Sequence, residues 1–253
     1  DFTGTSGAHP GNLNAPAAVT QSAVIYVLRL LLGDDGAGLP LNEGLMARVS
    51  VVAPPGLLNP AFEDDPARSP AVAAGNVETS QRIVNALIRA FGLAADSQGT
   101  MNNVLFGADA FGFYETICGG AGAGSGFAGA SAVHTHMTNT AITDAEIIEK
   151  RYPVRLLRFC VRKGSGGDGQ WTGGDGVERE FLFLEPVRLS VITQSRARGP
   201  RGAGGGTDGA PGAQWLVRAD GSREALGAID GREVSAGDRL VIHTPGGGGW
   251  GAP

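Results

Sequence analysis

The chain is poor in cysteine, in charge and in long apolar runs, and each shortage removes a class of protein. Two cysteines in 253 residues, Cys118 and Cys160, make no disulfide framework and fit a reducing, cytoplasmic compartment, with room for one bridge at most. Charged residues are 18% of the total, the net charge is −5 and no basic run occurs. Binding by phosphate neutralisation needs such a run, so nucleic acid is not the expected partner. The longest apolar run, Ala23 to Leu32, is broken by Arg29 and falls short of the ~20 residues that cross a bilayer. No G-x-x-x-x-G-K-[ST] sequence is present, so the chain brings no P-loop for ATP. It opens on Asp1 without an initiator methionine, which leads us to expect a processed or cut piece of something longer.

Glycine, in contrast, is abundant. There are 42 of them, far above the roughly 7% of average usage, and they follow no three-residue period. They gather in blocks at 119–129, 164–176, 199–212 and 246–251. Such density sacrifices backbone entropy and side-chain burial, and suits backbone that turns tightly or approaches something closely. The closing TPGGGGWG and the loops KGSGGDG and TGGDG therefore read either as backbone shaped for a partner subunit or as the turns of a tight β-domain. With 42% hydrophobic residues the chain is long enough to bury a sizeable core as one large domain or two ordinary ones.

In chain order, DFTGTSGAHPGNLN is an extended, turn-rich entry. A helix follows, capped by Asn14, with Val19, Ala23, Val27, Leu30 and Leu31 at helical spacing and Gly33 as its stop. RVSVVA, residues 48–53, alternates like a strand, and the proline-rich segment 57–70 is a loop. A second helix spans Ser80 to Phe91, capped by Asn76 or Thr79, with Ile83, Leu87, Ile88 and Phe91 on one face. Strands around Val104–Phe106 and FGFYETIC lead into the first glycine block. Thr143 and Glu146 have the capping-box spacing of a short helix that Pro153 ends. Beyond it the pattern is strand and turn only, at 154–162, 178–184, 187–193, 214–218 and 239–244, with Asp220-Gly221 as a hairpin turn. The fold class is therefore α+β: a mixed part over residues 1–153 and an all-β, glycine-rich part over 154–253.

One stretch, Tyr114 to Thr140, gathers unlike chemistry: the Glu115 carboxylate, the Cys118 thiol, the first glycine block and two of four histidines as His134-Thr135-His136. Gly124, Gly126 and Gly129 match G-x-G-x-x-G. That fingerprint needs a helix to start there and point its amides at a pyrophosphate, and residues 130–140 lack helical periodicity. Two residues apart on a strand, His134 and His136 would share a face. They are open to three readings: hydrogen-bonded residues of a polar turn with Thr135, Thr138 and Asn139, groups that handle substrate or protons, or two metal ligands in need of a third, with Glu115 the nearest carboxylate. Cys118 is either buried packing or a nucleophile served by His134. Cys160, in LLRFCVR, reads as a core strand residue.

Taken together, DFTGTS and GNLNAP, GNVETSQR, SQGTMNN, YETICGGAGAG, GASAVHTHMTNT, KRYPV, GSGG with GGDG, and the closing TPGGGGWG resemble, in the same order, the B-type subunits of the hydantoinase and 5-oxoprolinase group. That group includes the metal-bearing subunits of acetone and acetophenone carboxylases. The resemblance implies a subunit that works with an A-type, actin-like ATPase partner. ATP, bound by that partner, would drive hydrolysis of a cyclic amide of the 5-oxoproline or hydantoin class, or carboxylation of a ketone. B-type subunits are about twice this long, and DFTGT lies near their middle, so the resemblance is to the C-terminal half. The Asp and His ligands of a divalent metal belong to the other half, and no metal site is carried onto this sequence. On this reading Glu115, His134 and His136 line a shared cavity and handle protons, while Asn102, Asn103, Thr138 and Asn139 orient substrate. Two further readings stand beside it: an assembly module that contributes no catalytic group, and a thiol hydrolase that uses Cys118.

Overall fold

The computed structural model describes residues 1–36, 38–40 and 42–253. Contacts divide the chain into two units, Asp1–Phe91 and Gly92–Pro253, whereas the shift in composition lies near residue 153.

The first unit is helical. α1 (Ala17–Leu32) has Pro16 at its N-cap, with no side-chain cap hydrogen bond. Asn14 does not cap it. Its side-chain amide instead donates to the carbonyls of His9, Gly11 and Ala71 at 2.9, 3.1 and 3.0 Å, tying the entry loop together. α1 buries Thr20, Ala23, Val24 and Val27, while Leu30 and Leu31, which the spacing assigned to the same stripe, are exposed. It packs against α2 (Ser80–Ala90), which buries Ile83, Val84 and Ile88. A single π-type turn, Gly75–Thr79, precedes α2, and neither Asn76 nor Thr79 caps it. Thr79 donates its hydroxyl to the Leu13 carbonyl. Residues 48–53 form no strand. Val52 accepts one bond from the Phe2 amide at 2.8 Å, and alternation without a neighbouring strand gives the backbone no ladder to join.

The second unit is two antiparallel sheets around one core. β1 (Asn103–Ala108), β2 (Phe111–Glu115), β5 (Val187–Ile192) and β8 (Ile229–Val234) form the first, in the order β2-β1-β5-β8. β3 (Val154–Arg162), β4 (Gly176–Phe183), β9 (Arg239–His243), β6 (Ala213–Val217) and β7 (Arg223–Ala225) form the second, in the order β3-β4-β9-β6-β7. Their inner faces alternate strictly: Val187, Leu189 and Val191 of β5 meet Val177, Phe181 and Phe183 of β4 and Leu240 and Ile242 of β9. Phe106 of β1 sits edge-on to Phe183, with ring centroids 5.4 Å apart, and stacks on Phe113 at 4.5 Å. α3 (Ala145–Arg151) packs on β3 and buries Ile148. Its cap is Asp144, one residue later than the capping-box spacing suggested, accepting from the amides of Glu146 and Ile147.

The four glycine blocks come together in this unit. Gly247 donates to Gly174 and accepts from Gly167, both at 2.8 Å, and Gly174 donates to Ala121 at 2.9 Å. Ala123 donates to Gly248 at 2.9 Å, and Gly249 to Thr207 at 3.0 Å. These segments lie outside the named strands, and their backbones pack where a side chain would sit. A Cβ on Gly247 would stand 1.9 Å from the Ala121 carbonyl oxygen, and one on Gly173 would stand 2.1 Å from that of Gly247. The close approach expected of these glycines is an approach to one another.

Candidate functional site

The stretch 114–140 is built on this glycine bundle. Glu115 ends β2, Cys118 follows it, and Gly119 exchanges hydrogen bonds with Val133 at 3.1 and 2.9 Å, which brings His134 back beside the chain it left. Gly124 and Phe127 close a tight turn on each other, with Gly126 at φ 91°. No helix starts there; the next one is α3, so the dinucleotide arrangement is absent from the described residues. The HTH segment is not a strand either. His136 has φ 52°, and Thr138 turns back to donate to the Thr135 carbonyl at 3.1 Å, so the shared-face argument for the two imidazoles does not hold.

Motif reading passed over the residue around which these groups gather. Arg179, on the inner face of β4, pairs with Glu115 at 2.8 Å, with side-chain exposures of 0% and 3%. Its guanidinium lies 4.9 Å from the ring centroids of both Phe159 and Phe181. The other Glu115 oxygen accepts the Thr143 amide at 2.6 Å. Burial pushes Arg179 below the usual guanidinium range, while Glu115 and Cys118 pull it back up. A sequence signal for Arg179 exists: it holds the i position of an i, i+2, i+4 series with Phe181 and Phe183, so strand register turns it inward.

His134 senses the same charge. Desolvation, then Arg179, lowers its pKa and favours the neutral ring, and both ring nitrogens are shut from solvent and make no hydrogen bond. His136 is pushed down to about 4 by burial alone. The Cys118 thiol is buried and raised to about 11, mainly by desolvation, with Arg179 opposing. A thiol held protonated in that way is a poor nucleophile. Cys160 is exposed rather than in the core, because β3 is an edge strand and Cys160 faces outward beside Glu178.

The asparagines belong to other networks. Asn102, at φ 48°, donates to Gln98 at 2.7 Å and to the Ile117 carbonyl at 3.1 Å, and accepts from Arg196 at 3.0 Å. Arg196 in turn binds the Gln214 amide oxygen at 3.2 and 2.9 Å. Asn103 donates to the Ile192 carbonyl at 2.6 Å and accepts from the Tyr114 hydroxyl at 2.8 Å. Both amides are therefore engaged internally. Thr138 is buried and Asn139 exposed. Among the described residues no three His, Cys, Asp or Glu side chains gather to hold a metal ion, and Glu115 is committed to Arg179. The residues present do not fit a divalent-metal site. No helix of the described residues is long and apolar enough to cross a membrane.

A two-sheet α+β unit with a buried Arg179–Glu115 pair and a bundle of crossed glycine backbones defines the class of chain. The family model of hydantoinase B/oxoprolinase matches residues 1–253, and the chain belongs to that family. It is 49% identical over 252 residues to 5-oxoprolinase 1 of Arabidopsis thaliana, a match that covers 100% of this chain and 19% of that protein. The fold recurs in the ATP-dependent caprolactamase from Pseudomonas jessenii at a TM-score of 0.74 and 24% identity, over 99% of this chain and 46% of that one. It recurs again in a nucleotide-free acetone carboxylase at a TM-score of 0.76 and 17% identity, over 99% and 39%. The chain thus spans about one fifth of its plant relative and less than half of either structural neighbour.

Proposed function

We propose that this chain is the C-terminal part of a hydantoinase B/oxoprolinase-type subunit whose complete assembly hydrolyses a cyclic amide of the 5-oxoproline class at the expense of ATP. The observation that carries the reading is the 49% identity to a 5-oxoprolinase along the whole chain; the identity to the carboxylase is 17%, which favours hydrolysis over carboxylation. ATP belongs to an A-type partner subunit, and a divalent metal to ligands outside residues 1–253.

Opening a lactam breaks the acyl C–N bond, leaves the water oxygen on the carbonyl carbon and delivers a proton to nitrogen. ATP coupling would place its terminal phosphoryl group on the amide oxygen to activate the ring; that group leaves as inorganic phosphate when water opens the ring, so acid, ADP and phosphate form together. In this chain His134 is the group suited to the proton: it is neutral, and its ring nitrogens are not committed to other partners. Glu115 and Arg179 hold the wall behind it, with His136, Thr138 and Asn139 on the same loop, and Asn102 and Asn103 fix the strand entry. The test is to purify the complete assembly and supply 5-oxoproline with and without ATP. Ring-opened acid and ADP formed together support the reading; no ATP-dependent ring opening contradicts it.

A further inference from the structure

β3 is an edge strand that lacks its neighbour. Its inner face carries Phe159 and Val161 in register with Arg179 and Val177 of β4; it should be core, and those partners on β4 are fully buried. Yet Phe159 and Val161 are 42% and 41% exposed, and Leu157, the extra residue where the register shifts between Leu156 and Arg158, is 50% exposed. Edge strands in native proteins are guarded by charge. Here the guards are turned away: Arg155 pairs with Glu149 and Arg158 with Glu178, while Arg162 donates to the carbonyls of Pro211 and Thr244. What remains is an apolar row beside main-chain groups that point away from β4. Phe159 also covers the guanidinium of Arg179, so this face is the outer wall of the site itself.

We infer that β3 is the docking strand for the portion of the family polypeptide that lies outside the stretch matched by residues 1–253. That portion would add a strand along β3 and seat apolar side chains on Leu157, Phe159 and Val161. Length favours this occupant. The two structural neighbours contain the whole of this architecture, and it accounts for only 46% and 39% of their chains. A β3 face left apolar and directly over Arg179 is where the rest of such a chain completes the enclosure. The inference rests on the assembly reading above, though not on the reaction.

The experiment is hydrogen exchange on the native assembly, followed by Phe159→Asp with Val161→Asp, and by Cys160→Asp on the opposite face of the same strand. The other edge of the same sheet, β7 (Arg223–Ala225), serves as internal reference. The expected result is that β3 amides are protected well beyond those of β7. The double variant should lose that protection, whereas Cys160→Asp keeps it. Three results would overturn the inference: β3 exchanging like β7 in the intact assembly, equal loss in the Cys160→Asp control, or protection that depends on pairing of two copies of this chain. Because hydrogen exchange does not read catalysis, an assembly that protects β3 and fails to open 5-oxoproline would refute only the assigned reaction.

Discussion

Arg179 of one sheet and Glu115 of the other meet at 2.8 Å inside the sandwich, with neither side chain open to solvent. A buried pair of this kind is costly to break and can often be replaced outright, since desolvation cancels much of the attraction. Glu115→Gln keeps an acceptor for the Thr143 amide while stranding the guanidinium, and should destabilise by about 3–5 kcal/mol. Arg179→Met alone should cost a similar amount. The double variant should recover most of the loss, which a double-mutant cycle by urea unfolding will read. Additive losses would show that the pair is not the unit we describe.

The glycine bundle makes a sharp steric prediction. Gly247→Ala places a Cβ 1.9 Å from a backbone oxygen, where no flexible side chain can yield, and should cost at least the ~1–3 kcal/mol of overpacking. Gly112→Ala meets nothing within 4 Å and should stay within about 0.5 kcal/mol. Thermal unfolding of the two variants side by side checks this.

His136 gives a pH dependence whose sign is fixed. Its folded pKa is depressed to about 4 by burial, against about 6.5 in the unfolded chain. Between those values the unfolded state binds the extra proton, so stability rises with pH; it is fully present above about 6.5 and is lost as pH falls toward 4. His136→Asn tolerates the left-handed backbone at that position and should flatten the slope in that window. A slope unchanged in the variant would show that the imidazole is not its source.

The two thiols should separate cleanly. Cys160 is exposed, whereas Cys118 is buried with a pKa raised to about 11. Iodoacetamide at pH 8 should therefore label Cys160 first and reach Cys118 only on unfolding. Peptide mapping by mass spectrometry reads the order. Rapid native labelling of Cys118 would restore the thiol-hydrolase reading.

Much of the fold was legible because alternation and turns are local. The strands at 154–162, 178–184, 187–193, 214–218 and 239–244 and the hairpin at Asp220-Gly221 all appear in the structure within a residue or two. β7 and β8 were missed: β8 buries only Val234 and leaves Ile229 exposed, so its pattern carries little hydrophobic signal. RVSVVA misled for the converse reason, having the alternation without a partner strand. Composition did pick out groups that the structure gathers, since Glu115, Cys118 and His134 all lie near Arg179. Their shared neighbour was not picked out. Arg179 lies 64 positions beyond Glu115 in the sequence and declares itself only through the register it shares with Phe181 and Phe183. Arg196 joins the Asn102 network from a loop with no periodicity to expose it. Cys160 was assigned to the core because a strand's edge position is a property of sheet order, which the residues of one strand do not contain.

On the proposed function, this chain contributes a proton-handling group to a reaction completed elsewhere in the assembly. That contribution is tested most directly by His134→Ala in the complete complex, with the rate of ATP-dependent cyclic-amide opening measured at saturating substrate. Intact assembly is expected, with a kcat lower by about 10²–10⁴-fold, the range for loss of a general acid or base. An assembled His134→Ala complex with the wild-type kcat would contradict it.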